Sequence, residues 1–358
     1  MSVLFIVAAV FLLGVMVMIH EFGHFCAART TGIPVKEFAI GFGPKLLSWQ
    51  SKKHGTVFLL RLIPAGGYCM FYGDEDAQGA AQDDPRCINR FSVWKRMLTI
   101  AMGPIMNFVL ALVAAICLYL ALGEGMVDHT VIAAVDANSP AAQSGVMAGD
   151  VILAVNGEDA QGTSASGQLA AVEMIGAYRD GDAPLTLTVR RGESTAQLHV
   201  TPRYDEAQGR ALIGVNVSYT VRYQPIGLPR AVGLGAQYCV RAAGAILNGL
   251  KNMITTDQGL KDSSGPVGIV RYIAEETQKS GWTAYVELLV LISVNLGLFN
   301  LIPIPGLDGS RIVFLLIEAI RRKPVNQKIE AYVHLSGYVL LFGLMLLMTC
   351  KDILHIFQ

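Results

Sequence analysis

The chain has 358 residues, 53% of them hydrophobic and only 16% charged, with 28 Lys and Arg matched by 28 Asp and Glu. Such a composition is too apolar for an ordinary soluble enzyme and points to an integral membrane protein with some water-facing mass. A formal net charge of +0 supplies no global field for nucleic acid or acidic substrates. The six cysteines are scattered with no CxxC pair, indicating neither a disulfide framework nor a thiolate metal site.

Four stretches are long and apolar enough to cross a bilayer at about 20 residues per crossing. They are Val3–Ala28, Met97–Leu122, Leu288–Ile320 (interrupted) and Tyr332–Cys350. The first lacks the basic start and small-residue cleavage site of a signal peptide and is expected to be retained. Near its end it reads "VMVMIHEFGHFCAAR" (Val15–Arg29). On a helix His20 and His24 fall one turn apart on one face, so both can reach a single metal ion, and Glu21 stands beside the first, placed to take a proton from water. Ionisable groups inside a span cost at least a few kcal/mol each. Coordination of zinc, which accepts imidazole nitrogens, offsets that cost.

The loop after this span is basic and holds "TVFLLRLIPAGGYCMFYG" (Thr56–Gly73), two apolar β-rich runs around Pro64 and the Gly66–Gly67 pair, which predicts a hairpin. "GFGPK" (Gly41–Lys45) and the acidic "GDEDAQGAAQDD" (Gly73–Asp84) read as turn and loop. The second span contains "GPIMN" (Gly103–Asn107). From Asp128 the pattern changes: "TVIAAVDANSPAAQSGVMAGDVILAVNGE" (Thr130–Glu158) predicts strand, short helix and strand, then an Asn156–Gly157 hairpin turn. Further strands are expected at Leu185–Arg190, Ala196–Thr201 and Ala211–Val217. Ala231–Met253, with Arg230, Arg241 and Lys251, reads as an interfacial amphipathic helix.

The third span carries "NLGLFNLIPIPGLDGSRI" (Asn295–Ile312). Pro303 and Pro305 cannot continue a helix, and a broken helix at membrane depth is tolerated only where protein or a cavity surrounds it. Asp308 follows the break, three residues before Arg311, while His24 lies five before Arg29. At about 1.5 Å per residue the two fall within a turn or two of the same membrane face. His, His and a carboxylate at one depth form a candidate zinc site. By the positive-inside rule the basic loop between the first two spans and the Arg321–Lys323 turn are cytoplasmic, leaving both chain ends and the middle segment outside.

HEFGH, GPIMN and NLIPIPGLDG, in this order, resemble the site-2 protease family of intramembrane metalloproteases, and within it the bacterial regulator-of-sigma-E proteases. The stretch "SPAAQSGVMAGDVILAVNG" is similar to the signature of a PDZ domain in the permuted bacterial arrangement. The resemblance implies His20, His24 and Asp308 as zinc ligands, Glu21 as catalytic base, and Asn300 as a contact to the substrate backbone, with Asn107 also facing the site. On the residues alone either amide bonds a neighbouring helix as readily as a substrate. The Thr56–Tyr72 segment resembles the family's membrane-reentrant β-loop. One departure is a single PDZ domain where some members carry two.

The expected architecture is a multi-pass α-helical membrane protein of four spans, the third broken, with a reentrant β-hairpin and an inserted extracytoplasmic α+β PDZ domain. The domains are residues 1–127, 128–220 (PDZ), 221–283 (interfacial) and 284–358. The resemblance implies peptide hydrolysis in or next to the membrane segment of single-span proteins, such as anti-sigma factors or signal-peptide remnants. A prior cut by a site-1 protease is implied, in the bacterial inner membrane, with no nucleic-acid partner. Two other readings are a PDZ scaffold with a structural zinc, for which four protein ligands are needed and only three candidates are present, and a transporter, for which no inverted second half is visible.

Overall fold

The computed structural model describes residues 2–73, 84–164, 167–179, 181–205, 209–255 and 265–357; the acidic stretch 74–83 lies outside them. The chain divides into two compact units, Met1–Tyr119 with Leu228–Gln358, and Leu120–Gly227.

The first unit begins with α1 (Val3–Thr31), which Gly32 ends in the left-handed conformation (φ 82°), its N–H returning to the Ala28 carbonyl. β1 (Val35–Gln50) and β2 (Val57–Phe71) follow and pair antiparallel, and α2 (Val93–Leu122) comes next. The expected Thr56–Tyr72 hairpin is corrected here: its two halves do not pair with each other. Val35–Ile40 lies between them, with Val57–Leu60 on one flank and Gly67–Phe71 on the other, while Lys45–Gln50 pairs with the outer side of Val57–Arg61. A single bent strand thus wraps a strand from earlier in the chain. Buried Val35 and Phe71 pack with Ala28, Ile33 and Ile88 beneath this sheet. Phe42, Leu46, Leu47, Trp49, Leu62 and Ile63 stay exposed.

The second unit opens with β3 (Glu124–Val135), then α3 (Pro140–Gln143), β4 (Val151–Val155) and β5 (Glu158–Asp159). α4 (Ala170–Gly176), β6 (Leu185–Arg191), β7 (Ser194–Val200), β8 (Arg203–Asp205), β9 (Arg210–Leu212) and β10 (Val215–Gln224) complete it. The main sheet runs β10-β3-β4-β6-β7, with β5 pairing β4, and β8 and β9 form a separate pair. The single strand expected at Ala211–Val217 is two, β9 and β10, divided at Ile213 and Gly214, where the chain leaves one sheet for the other. Asn156 and Gly157 both adopt positive φ (52° and 82°), the two-residue turn that the pair favours. Ile132, Ile152, Leu187, Val189 and Val200 form the core, with Ala171 and Ile175 of α4 against it. Burial opposes charge on the Asp150 carboxylate, but Arg191 at 2.7 Å and the Met147 N–H outweigh it and hold its pKa below the ordinary value.

The chain then returns to the first unit with α5 (Leu228–Thr255), α6 (Pro266–Leu301), α7 (Asp308–Arg321) and α8 (Gln327–Phe357). Four helices are long and apolar enough to cross a membrane: Val3–Thr31, Val93–Leu122, Pro266–Leu301 and Lys328–Asp352. α5 is not among them; Tyr238, Cys239 and Ala242 pack it onto Ala111, Ala115 and Val290 of α2 and α6. Inside α6, Gly281 is non-helical (φ 75°, ψ −158°), which leaves from Trp282 to Leu301 about the length of one crossing. The third span therefore ends at Leu301. The expected interrupted span through Ile320 becomes a helix, a six-residue loop 302–307 and α7, because Pro303 and Pro305 offer no N–H to continue the ladder. Val3, Leu4, Ile320 and Leu347 are 75%, 70%, 82% and 70% exposed, on helices whose outward faces are apolar. Such surface is stable against lipid and not against water.

Candidate metal centre

Three elements supply the site. α1 carries His20 and His24 at helical spacing, both only 7% exposed, with ring centroids 4.8 Å apart. α7 begins at Asp308, in its first turn. α2 closes the third side with Thr99, Gly103 and Asn107, four residues apart and so along one stripe of the helix.

Three lone-pair atoms converge. His20 Nε2 and His24 Nε2 are 3.2 Å apart, and Asp308 Oδ2 is 3.0 Å from the first and 3.4 Å from the second. Two donors of one tetrahedral zinc at about 2.1 Å stand about 3.4 Å from each other, so these separations suit a common ion. Among the described residues this is the one group of three His, Cys, Asp or Glu side chains so arranged. Buried Asp308 Oδ2 has no hydrogen-bond partner among the described residues, as befits an oxygen reserved for a cation. The residues present fit zinc, and they offer three protein donors, the number that leaves a coordination position open.

The surroundings orient these donors. His24 Nδ1 lies 2.9 Å from the Thr99 carbonyl, an acceptor only, so Nδ1 carries the proton and Nε2 the lone pair. Room for both rings comes from Gly103, where a Cβ would sit 2.3 Å from His24 Nε2 and 3.0 Å from His20 Nε2. Pro104 follows it inside α2, with no N–H to offer the Ile100 carbonyl. Asn107, wholly buried, places Nδ2 3.1 Å from His20 Nδ1.

The loop 302–307 sets Asp308. Gly309 permits its return toward α6, since a Cβ there would meet the Ile302 and Leu301 carbonyls at 2.3 and 2.5 Å. From α8, His334 Nδ1 accepts the Gly306 N–H at 3.2 Å, and Gly337 lies so close that a Cβ would be 2.0 Å from the Pro305 oxygen. A partly buried ion pair between Arg96 and Glu318 ties α2 to α7.

Glu21 leaves the metal-ligating face of α1 for the sheet: its Oε2 accepts the Cys69 N–H of β2 at 2.9 Å. Cys69 lies in Gly67–Phe71, whose other edge pairs with Val35–Ile40. Asn300 is not drawn into contact with the three donors; its Nδ2 donates to Leu296 of its own helix at 3.0 Å. Sequence reasoning passed over Thr99 and Cys69, and it met Gly103 within GPIMN and His334 on the fourth span without giving either a role in the site. The first two act through backbone atoms and leave no side-chain signature. Gly103 was visible only as the small residue one turn before Asn107, and His334 only as an ionisable group on an apolar helix.

A family model described as Peptidase family M50 matches residues 8–344. The chain is 29% identical to the regulator of sigma-W protease RasP of Bacillus subtilis, the alignment covering 98% of this chain and 99% of that one. It is also 29% identical to the zinc metalloprotease RasP of Bacillus licheniformis, with the same coverage. A candidate zinc metalloprotease of Clostridium acetobutylicum is 32% identical over 99% of both chains.

Proposed function

The chain belongs to peptidase family M50 and is a zinc-dependent metalloprotease, and from that premise we propose that it hydrolyses a peptide bond within or beside the transmembrane segment of single-span membrane proteins. The observation that carries this reading is the convergence of His20 and His24, on a helix fit to cross a bilayer, with Asp308 of α7, and with Glu21 adjacent. Anti-sigma factors and signal-peptide remnants are substrates of the right form, cut after another protease has removed their outer part; the B. subtilis relative is named for regulating a sigma factor.

His20, His24 and Asp308 hold the ion. A zinc ion held there supplies Lewis acidity, acidifying water and polarising a carbonyl. Glu21 takes the proton of the attacking water and later delivers it to the leaving amine. Three ligands, not four, favour this over a structural zinc in a scaffold. The substrate helix must open first, and each freed backbone group in hydrocarbon needs a new partner. The Gly67–Phe71 edge lies beside Glu21 through Cys69, and supports addition of the opened substrate as a further β-strand. Asn300 lies two residues before the 302–307 loop that leads to Asp308 and, turned from Leu296, offers its amide to that strand.

The exposed apolar residues Phe42, Leu46, Leu47, Trp49, Leu62 and Ile63 support a sheet whose far end dips into the bilayer from the cytoplasmic side. The basic loops place the catalytic residues near the cytoplasmic face of the inner membrane and the chain ends outside. Residues 128–220, within the 120–227 unit with its β-rich core and short α3 and α4, are read as the single PDZ domain.

Elemental analysis of the purified protein tests the reading. One zinc per chain is expected, lost or much reduced in His20→Ala, His24→Ala and Asp308→Ala. Full zinc in Asp308→Ala would remove that residue as a ligand. Glu21→Gln should keep its zinc while cleavage falls about 10²–10⁴-fold, the usual contribution of a general base.

A further inference from the structure

A histidine that ligates through one ring nitrogen carries its proton on the other, and the group that accepts this proton fixes tautomer and ring angle. For His24 that acceptor is the Thr99 carbonyl. Among the described residues no backbone oxygen takes the equivalent place at His20: its Nε2 faces Asp308, and at its Nδ1 stands the Asn107 carboxamide, 3.1 Å away and 0% exposed. The near atom is Nδ2, while Oδ1 is buried without a hydrogen-bond partner among the described residues. An amide N–H2 is a donor only. Set against Nδ1 it requires the lone pair there and forces the proton onto Nε2, the atom that must bind the ion. The two ends of a carboxamide have the same shape, so a half-turn about Cβ–Cγ exchanges them without displacing a neighbour. Oδ1 then faces Nδ1–H, and the lone pair of His20 is turned to the ion.

We propose that Asn107 is a positioning residue: its Oδ1 accepts the His20 Nδ1–H and holds His20 in the one tautomer that can ligate, as the Thr99 carbonyl does for His24. This gives Asn107 a task other than binding the substrate backbone. It rests on the reading of His20 as a ligand. Because the acceptor at His20 is a side chain, substitution can remove it, which is not so for Thr99.

The test is zinc affinity of the full chain in detergent, measured by competition with a chelator of known strength, and no substrate is involved. Asn107→Asp keeps an acceptor of the same shape and should bind zinc within about threefold of the unsubstituted chain, whereas Asn107→Leu and Asn107→Ala should bind it about 10–100-fold more weakly, the usual cost of removing a partner behind a ligand. Circular dichroism and gel filtration establish that each variant is folded; if Asn107→Leu is not, Asn107→Ala, which adds no bulk, carries the comparison. Unchanged affinity in the folded Leu or Ala variant, with slower cleavage alone, would overturn the proposal in favour of a substrate contact. Asn107→Asp as weak as Asn107→Ala would overturn it too, since the needed atom would then be a donor. An unsubstituted chain that takes up no zinc would be a different failure, that of the ligand set itself.

Discussion

Gly103 shows how narrow the site is at the level of single atoms. A glycine in a helix interior costs about 1 kcal/mol relative to alanine, so Gly103→Ala would gain stability if nothing stood opposite. Here a Cβ would fall 2.3 Å from His24 Nε2, and overpacking of this kind costs about 1–3 kcal/mol. The imidazole has to move, and a ring held at Nδ1 by Thr99 cannot move without losing that bond. Gly103→Ala is therefore expected to lower zinc per chain well below one, while Gly233→Ala on α5, whose Cβ would meet nothing within 4 Å, should leave it unchanged. Elemental analysis of the two variants side by side checks this; full zinc in Gly103→Ala would mean that the rings have slack. Glu21 differs in kind. It neighbours His20 in sequence yet bonds the Cys69 N–H, which sets the carboxylate apart from the three candidate ligands, in keeping with the proton-transfer role proposed for it.

At the level of elements, the site depends on helices that stop. α6 ends at Leu301 and α7 starts at Asp308, so the third donor sits in a first helical turn and its backbone is set by the loop before it. α8 braces that loop at two points, the His334 bond to Gly306 and the contact of Gly337 with Pro305. Gly337→Ala would put a Cβ 2.0 Å from the Pro305 oxygen, where Gly343→Ala on the same helix would meet nothing. The first should reduce both zinc content and cleavage, the second neither. Equal behaviour of the two would show that α8 does not hold the loop. These elements differ in how much of them the sequence discloses. His20, Glu21, His24, Pro303, Pro305 and Asp308 stand out because each contradicts the apolar run around it, and helical spacing then joins them. The spans are legible for the same reason, composition alone being enough. The fold of Thr56–Tyr72 is not: two apolar runs about a Pro-Ala-Gly-Gly turn have the period of a hairpin, and only tertiary pairing with Val35–Ile40 makes them one wrapped strand. Short α4 and the β8–β9 pair were likewise hidden, being too brief to develop a period of their own.

On the scale of the whole molecule, two of the three proposed zinc donors, His20 and His24, lie on a helix long and apolar enough to cross a membrane, and the third, Asp308, opens α7 just past the end of another. Water chemistry among lipid-facing helices makes sense only if the bond to be cut is also there, and that is the central claim. It is tested by locating the cut. The purified chain, reconstituted in liposomes with a panel of single-span membrane proteins trimmed of their outer domains, would be incubated with a zinc chelator, without it, and with zinc restored, and the products mapped by mass spectrometry. The account predicts a cleavage site inside or immediately beside the transmembrane segment of at least one substrate, abolished by the chelator, recovered with zinc and absent with Glu21→Gln. Cuts confined to water-exposed loops, or membrane cuts that persist under chelation and in Glu21→Gln, would contradict it.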